Sequence, residues 1–207
     1  RKYVKDECDF FLEGLTQKIQ RVNNLLKDKQ ITRFIPVMIP ESMSTHETQK
    51  LVASLLEMHI PVKEIIVNHI AKQNACEFCI ARKLQQADPI LQIQKEFSRF
   101  DLIFVENFKD EIKGYNDLSL LGDYLTGDLN AFCKKPGQKK HESMIQNVGQ
   151  PMKMSNLDID PAIQFIIVGG KGGVGKTSVA SSIGLYLSDL FQDKKILLFS
   201  TDPAHSL

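Results

Sequence analysis

The chain has 207 residues, 43% hydrophobic and 25% charged, with a formal net charge of +1. This is ordinary globular composition, enough for one large or two small domains, and the balanced charge argues against a general nucleic-acid binder. No apolar run approaches the ~20 residues of a membrane span, the start Arg1-Lys-Tyr-Val-Lys-Asp6 is unlike a signal peptide, and four cysteines, two of them in a Cys-x-x-Cys, fit a reducing compartment better than a disulfide framework.

Along residues 1–28, Phe11, Leu15, Ile19, Val22 and Leu26 recur at helical spacing, which predicts an amphipathic helix packed on a sheet. Cys8 there reads as a small buried residue or an idle thiol. Arg33–Ile39 is a candidate strand despite Pro36. Ser44-Thr-His-Glu47 has the spacing of a capping box, so a helix is expected from about Thr45 to Met58. Glu64–Asn68 is a second, β-branched strand, and the two strands with their helix make a βαβ unit. Asn68 falls at the carboxyl end of its strand, where open α/β sheets bind ligands. Composition alone favours the plainer reading, a strand-to-loop cap.

Cys76-Glu-Phe-Cys79 precedes a helical pattern from about Ile80 to Phe97, interrupted near Asp88-Pro89. Two thiolates on one turn are half a tetrahedral zinc site; two unlinked thiols near a helix start are the simpler reading. Phe100–Val105 is a third strand, Asp110–Gly114 a loop, and Leu118–Leu125 a short helix. From 126 to 160 apolar periodicity fades and Lys134, Lys135, Lys139, Lys140 and Lys153 gather among glycines and prolines, the composition of a flexible basic linker.

A new apolar run, Ile163–Val168, then enters Gly170-Lys-Gly-Gly-Val-Gly-Lys-Thr177, which fits the phosphate-loop pattern G-x-x-x-x-G-K-[ST]. Gly170, Gly172, Gly173 and Gly175 let the backbone turn tightly, so that N–H groups, including those of Lys171 and Val174, can face phosphate oxygens. The helix opening at Lys176-Thr177-Ser178 adds the positive end of its dipole. Lys176 would reach the β- and γ-phosphates and the Thr177 hydroxyl would hold Mg²⁺ beside ATP. Lys195–Phe199 is expected as the next strand, followed by Ser200-Thr-Asp-Pro-Ala-His-Ser-Leu207. A helix of about 15 residues carries the chain ~22 Å away and a strand of about six brings it ~20 Å back. A right-handed crossover therefore returns Asp202 to the edge that holds Lys176, where a carboxylate can act on metal or water.

Lys171, in Lys-Gly-Gly-Val-Gly-Lys-Thr177, resembles the deviant phosphate loop of dimeric ATPases: nitrogenase iron protein, MinD and ParA proteins, and the ArsA/Get family. That loop with Ser200–Leu207 resembles the beginning of an ArsA/Get-family ATPase. Ile39–Thr48, Val67-Asn-His69, Cys76–Arg82 and Glu111–Gly114 resemble the end of one. The resemblance implies an α/β fold of the P-loop NTPase type, with a doubly wound, mostly parallel sheet and flanking helices. The reversed order implies a tandem protein. Residues 1–125 would be the last part of a first ATPase half, 126–160 a linker, and 161–207 the first part of a second. The chain would then be a piece of a longer protein, without a complete nucleotide site of its own.

By position, the resemblance assigns Asn68 to the adenine of the first half's nucleotide. In the second half it assigns Lys171 and Lys176 to phosphates, with Lys171 reaching across a dimer interface, Thr177 to Mg²⁺, and Asp202 to water or metal. The base-binding loop departs from the family, because Glu106-Asn107 stands where a proline is common. In guided-entry relatives a Cys-x-x-Cys pair shares zinc with a second pair, which would make Cys76 and Cys79 half of a shared site. The expected activity is ATP hydrolysis driving arsenite export. Delivery of tail-anchored membrane proteins is the alternative, and ParA-like positioning a third. Expected partners are a second ATPase half or a homodimer partner, and a membrane arsenite channel or membrane-protein cargo. The expected setting is the cytoplasm or the membrane periphery.

Overall fold

A computed structural model describes residues 5–71, 77–108, 111–127 and 155–201. The β-branched runs form parallel strands β1 (Thr32–Met38), β2 (Glu64–Ile70), β3 (Asp101–Glu106) and β4 (Phe165–Gly169) in one sheet of order β3-β2-β1-β4. Helices α1 (Glu7–Lys27), α2 (Ser42–Glu57), α3 (Glu77–Glu96), α4 (Gly114–Thr126) and α5 (Lys176–Leu190) complete the described elements.

Strand side chains alternate between faces, and two core clusters result. Ile35, Val37, Ile66, Ile103 and Val105 pack with Leu121 and Leu125 of α4 and with Val179 and Ile183 of α5. Met38, Ile65, Val67, Leu102 and Phe104 pack with Val52 of α2 and Ile93 of α3. Each fully buried side chain of this kind contributes ~1.5–3 kcal/mol. The expected doubly wound parallel sheet is therefore present, with helices on both faces.

The segments on either side of 128–154 share this sheet. β1 pairs with β4 from Thr32 opposite Phe165 to Pro36 opposite Gly169. Helices α4 and α5 cross closely, since a Cβ on Gly122 would come within 2.9 Å of the Ser182 carbonyl oxygen. Residues 155–160, the end of the stretch read as linker, also join the body. Leu157 is buried and its N–H donates to the Leu125 carbonyl at 2.8 Å, while Arg33 donates to the Asp158 carbonyl.

Four local expectations are corrected, and the strand expected despite Pro36 is present. Helix α2 starts at Ser42, capped by Glu41 without a side-chain bond. Ser44 instead accepts from Ile39 N–H, and Glu47 turns away toward Lys171, so the capping box does not form. Pro89 lies inside a continuous α3, whose buried Gln86 and Ile93 anchor it on both sides of the missing N–H. Pro36 stands within β1 where the ladder to β2 is already broken, between the Phe34–Val62 bridge and the Val37–Ile66 pair. The α1 helix forms behind an Asp6–Asp9 capping box but buries no residue: Phe11, Leu15, Ile19 and Val22 stay exposed, and it meets the sheet near its end, where Thr32 donates to the Leu25 carbonyl. Residues 195–199 form no strand; Leu197 and Phe199 are exposed, and among the described residues nothing pairs with the outer edge of β4. No described helix is long and apolar enough to cross a membrane.

Candidate functional site

The loop between β4 and α5 lies at the carboxyl edge of the sheet. Val174 anchors it, 1% exposed and packed in the core cluster of α4 and α5. Two glycines set its shape. Gly170 passes so close to the Val37 carbonyl that any Cβ would collide, and Gly175, at φ 94°, caps α5 in the left-handed region. A Cβ on Gly172 or Gly173 would meet open space. Gly175, as N-cap, brings no side chain to bond the first turn of α5, which leaves the helix's first N–H groups available to a ligand.

The two loop lysines are held differently. Lys176 folds back and donates from Nζ to the Lys171 carbonyl at 3.0 Å. Lys171 Nζ pairs with Glu47 Oε1 of α2 at 3.6 Å, both partners well exposed. Thr177 and Ser178 sit half-buried in the first turn of α5, where the Ser178 carbonyl accepts from Ser182.

Asn68 reaches this loop from β2. Its Nδ2 donates to the Val174 carbonyl at 3.0 Å, and its Oδ1 accepts from His69 N–H at 2.9 Å. The strand shifts register between Val67 and Ile70, and His69 takes φ 60°, a left-handed conformation uncommon outside glycine. The next layer fixes that turn. Gln86 of α3 donates to the His69 carbonyl and accepts from Ala71 N–H, while Asn107 faces His69 Nδ1 at 3.1 Å and donates its own N–H to the Ile70 carbonyl.

Of the residues expected at the site, Gly170, Lys171, Gly172, Gly173, Val174, Gly175, Lys176, Thr177, Ser178 and Asn68 thus converge on one edge. Asp202 and Cys76 lie outside the described residues. Cys79 stands in the first turn of α3, half-buried, and no group of three potential metal ligands occurs among the described residues. Glu47, Gln86 and Asn107 were missed in the sequence. Glu47 carried a helix-start signal that concealed its role, and the other two bond partners remote along the chain, where periodicity is silent.

A parallel, doubly wound sheet whose strand β4 runs through Gly-Lys-Thr into an uncapped helix defines a P-loop nucleotide-binding protein. Residues 4–127 and 163–207 match the anion-transporting ATPase family, and the chain belongs to that family. It is similar to ATPase ARSA1 of Chlamydomonas reinhardtii, with 28% identity over 206 residues, 98% of this chain and 23% of that protein. It is also similar to ATPase get3 of Sclerotinia sclerotiorum, 32% identical over 117 residues, covering 55% of this chain and 34% of that protein. ATPase GET3 of Paracoccidioides brasiliensis is 30% identical over 123 residues, 58% of this chain and 36% of that protein. The chain spans between about a quarter and about a third of the length of these relatives.

Proposed function

We propose that the chain is part of an ATP-driven switch that hydrolyses ATP to drive anion export, with arsenite as the anion. One observation carries the nucleotide reading: Asn68 on β2 is bonded to the same loop that presents Lys176 and Thr177. The groups read as base-side and phosphate-side ligands therefore stand at one edge. The residues fit ATP with Mg²⁺. The helix start is uncapped, Gly172 and Gly173 border open space, and the Lys176 ammonium has a loop carbonyl that a phosphate can replace.

In this reading Gly170–Lys176 surround the phosphates with N–H groups, and Lys176 neutralises the β- and γ-oxygens. Lys171 leaves Glu47 to contact phosphate, Asn68 faces the adenine, and Thr177 holds Mg²⁺. When bound, Mg²⁺ supplies charge neutralisation on the transferred phosphoryl group. Asp202 orients water or the metal shell.

The family's description as anion-transporting favours arsenite export. The two matched blocks, with an alignment to ATPase ARSA1 that runs across nearly the whole chain, favour a tandem origin in which 1–125 ends one half and 161–207 begins the next; within the 207-residue chain the two pieces complement each other in one sheet, so that Asn68 of the first and Lys176 of the second serve a single permuted site rather than two separate nucleotides. The similarity to GET3 proteins and the Cys76–Cys79 pair favour the second reading, a targeting ATPase for tail-anchored membrane proteins with zinc shared between two such pairs. Partners follow from each reading: a second half or a second copy in both, a membrane anion channel in the first, and an apolar membrane segment in the second.

The test is ATP turnover by the full-length protein with and without arsenite. Stimulation by arsenite, with Asp202→Asn sparing ATP binding while slowing turnover by orders of magnitude, is expected. Turnover indifferent to arsenite, together with capture of a tail-anchored segment, would replace export by targeting.

A further inference from the structure

The side chain of Gln86 is 8% exposed and makes two hydrogen bonds to one turn of backbone. Its Nε2 donates to the His69 carbonyl at 3.0 Å, and its Oε1 accepts from Ala71 N–H at 2.8 Å. The partners fix the amide's orientation, because a carbonyl can only accept and an N–H can only donate. Asn68 is fixed in the same way, between the Val174 carbonyl and His69 N–H. A continuous set of bonds therefore runs from α3 through Gln86, the 69–71 turn and Asn68 to the carbonyl that precedes Gly175.

The turn between them needs holding. His69 has φ 60°, and the β2–β3 register shifts across Val67–Ile70. A non-glycine residue keeps that backbone only where its surroundings over-determine it. Gln86 grips the turn from α3, and Asn107 grips it from the far side through His69 Nδ1 and the Ile70 carbonyl. Without Gln86, the His69 carbonyl and the Ala71 N–H would each lose a buried partner. The turn would relax toward ordinary strand geometry and carry the Asn68 side chain with it. Gly175 makes the loop sensitive to that movement, because the Asn68 amide lies where a Cβ on Gly175 would stand.

We propose that Gln86 is a positioning residue of the nucleotide site. It sets the 69–71 turn, which aims Asn68, which in turn fixes the Val174 carbonyl and the conformation of the phosphate loop. The consequence for nucleotide binding rests on the reading of this edge as an ATP site; the consequence for the loop itself does not.

Two measurements on the 207-residue chain separate them. The first is amide hydrogen exchange without nucleotide, comparing wild type, Gln86→Met and Gln92→Met. Methionine keeps the length of glutamine but neither bond, and Gln92, on the same helix, bonds Glu96 at the surface. In Gln86→Met, exchange over 170–177 should rise about tenfold while 179–190 stays unchanged, and Gln92→Met should alter neither. Equal acceleration in both segments, or none in the loop, would overturn the proposal as mere loss of stability. The second is the Kd of a fluorescent ADP in a double-mutant cycle. Gln86→Met should weaken binding about tenfold in the wild-type background and add little once Asn68 is Ala, because residues that act in series are not additive. Additive losses would overturn the series. Absence of ADP binding by the wild-type chain would sink the nucleotide reading, and the exchange result would then decide the positioning role alone.

Discussion

Asn68 and Val174, far apart in sequence, are joined side chain to main chain by a hydrogen bond of 3.0 Å. The amide is the only part of Asn68 that can donate there, so the two obvious substitutions act differently. Asn68→Ala loses the bond. Asn68→Asp places a carboxylate oxygen against the Val174 carbonyl oxygen and beside the expected phosphates. A half-buried acceptor left without its donor costs ~1–3 kcal/mol, and the aspartate adds repulsion. The aspartate variant should therefore unfold at lower denaturant than the alanine variant and bind ATP more weakly. Equal behaviour of the two in urea titration and nucleotide binding would contradict this geometry.

Lys176→Ala should leave the fold intact and remove nucleotide binding. Among the described residues the ammonium bonds a loop carbonyl, and its side chain is no part of the core clusters. Loss of a positioned cation on a phosphoryl group costs ~10²–10³ in turnover. In the full-length protein, phosphate release from this site should fall by at least that factor, while thermal unfolding shifts by no more than a few degrees.

Lys171 is engaged within its own chain before any partner is present, through Glu47 at 3.6 Å. An exposed pair of this kind is worth ~0–1 kcal/mol. Releasing the lysine with Glu47→Gln should tighten ATP binding by up to about fivefold at low salt, and the gain should shrink as ionic strength rises and screens the wild-type pair. Isothermal titration at two salt concentrations measures both effects. Unchanged affinity at low salt would show that the pair does not restrain Lys171.

Glu64 gives the sheet a pH dependence. Its side chain is 1% exposed, Oε2 has no hydrogen-bond partner among the described residues, and burial holds its carboxyl above the ordinary value of 4.5 even though Arg33 and Lys63 pull it down. The folded chain thus binds this proton more tightly than the unfolded chain. Its stability contribution is present below 4.5 and is lost as pH rises through the elevated folded value. Glu64→Gln should remove that decline, so the variant gains on wild type between acidic and neutral pH in chemical denaturation. Parallel pH profiles for the two proteins would refute the linkage.

Much of this was legible in the sequence because it is local. The runs around Ile35, Ile66 and Ile103 are β-branched and buried on both faces, and the glycine pattern before Lys176 has a single common use. What escaped depends on neighbours. Lys195–Phe199 has strand composition, yet composition alone does not dock a segment on a sheet, and the outer edge of β4 stays unpaired among the described residues. Pro89 looked like a break because propensity ignores the anchoring of Gln86 and Ile93 on either side. Glu47 matched a capping pattern while its partner lay on another element. The grip of Gln86 on the 69–71 turn joins elements whose meeting no spacing rule encodes.

The pairing of β1 with β4 makes cohesion across 128–154 a matter of non-covalent association. The backbone joining the two pieces contributes effective concentration, commonly in the millimolar range for tethered partners, and the register from Thr32–Phe165 to Pro36–Gly169 contributes the affinity. Severed there, the molecule becomes a two-component system. Asn68 would reside on one component and Lys176 on the other, so the edge proposed to hold the nucleotide would exist only in the reassembled pair, and ligand occupancy would become a readout of fragment complementation.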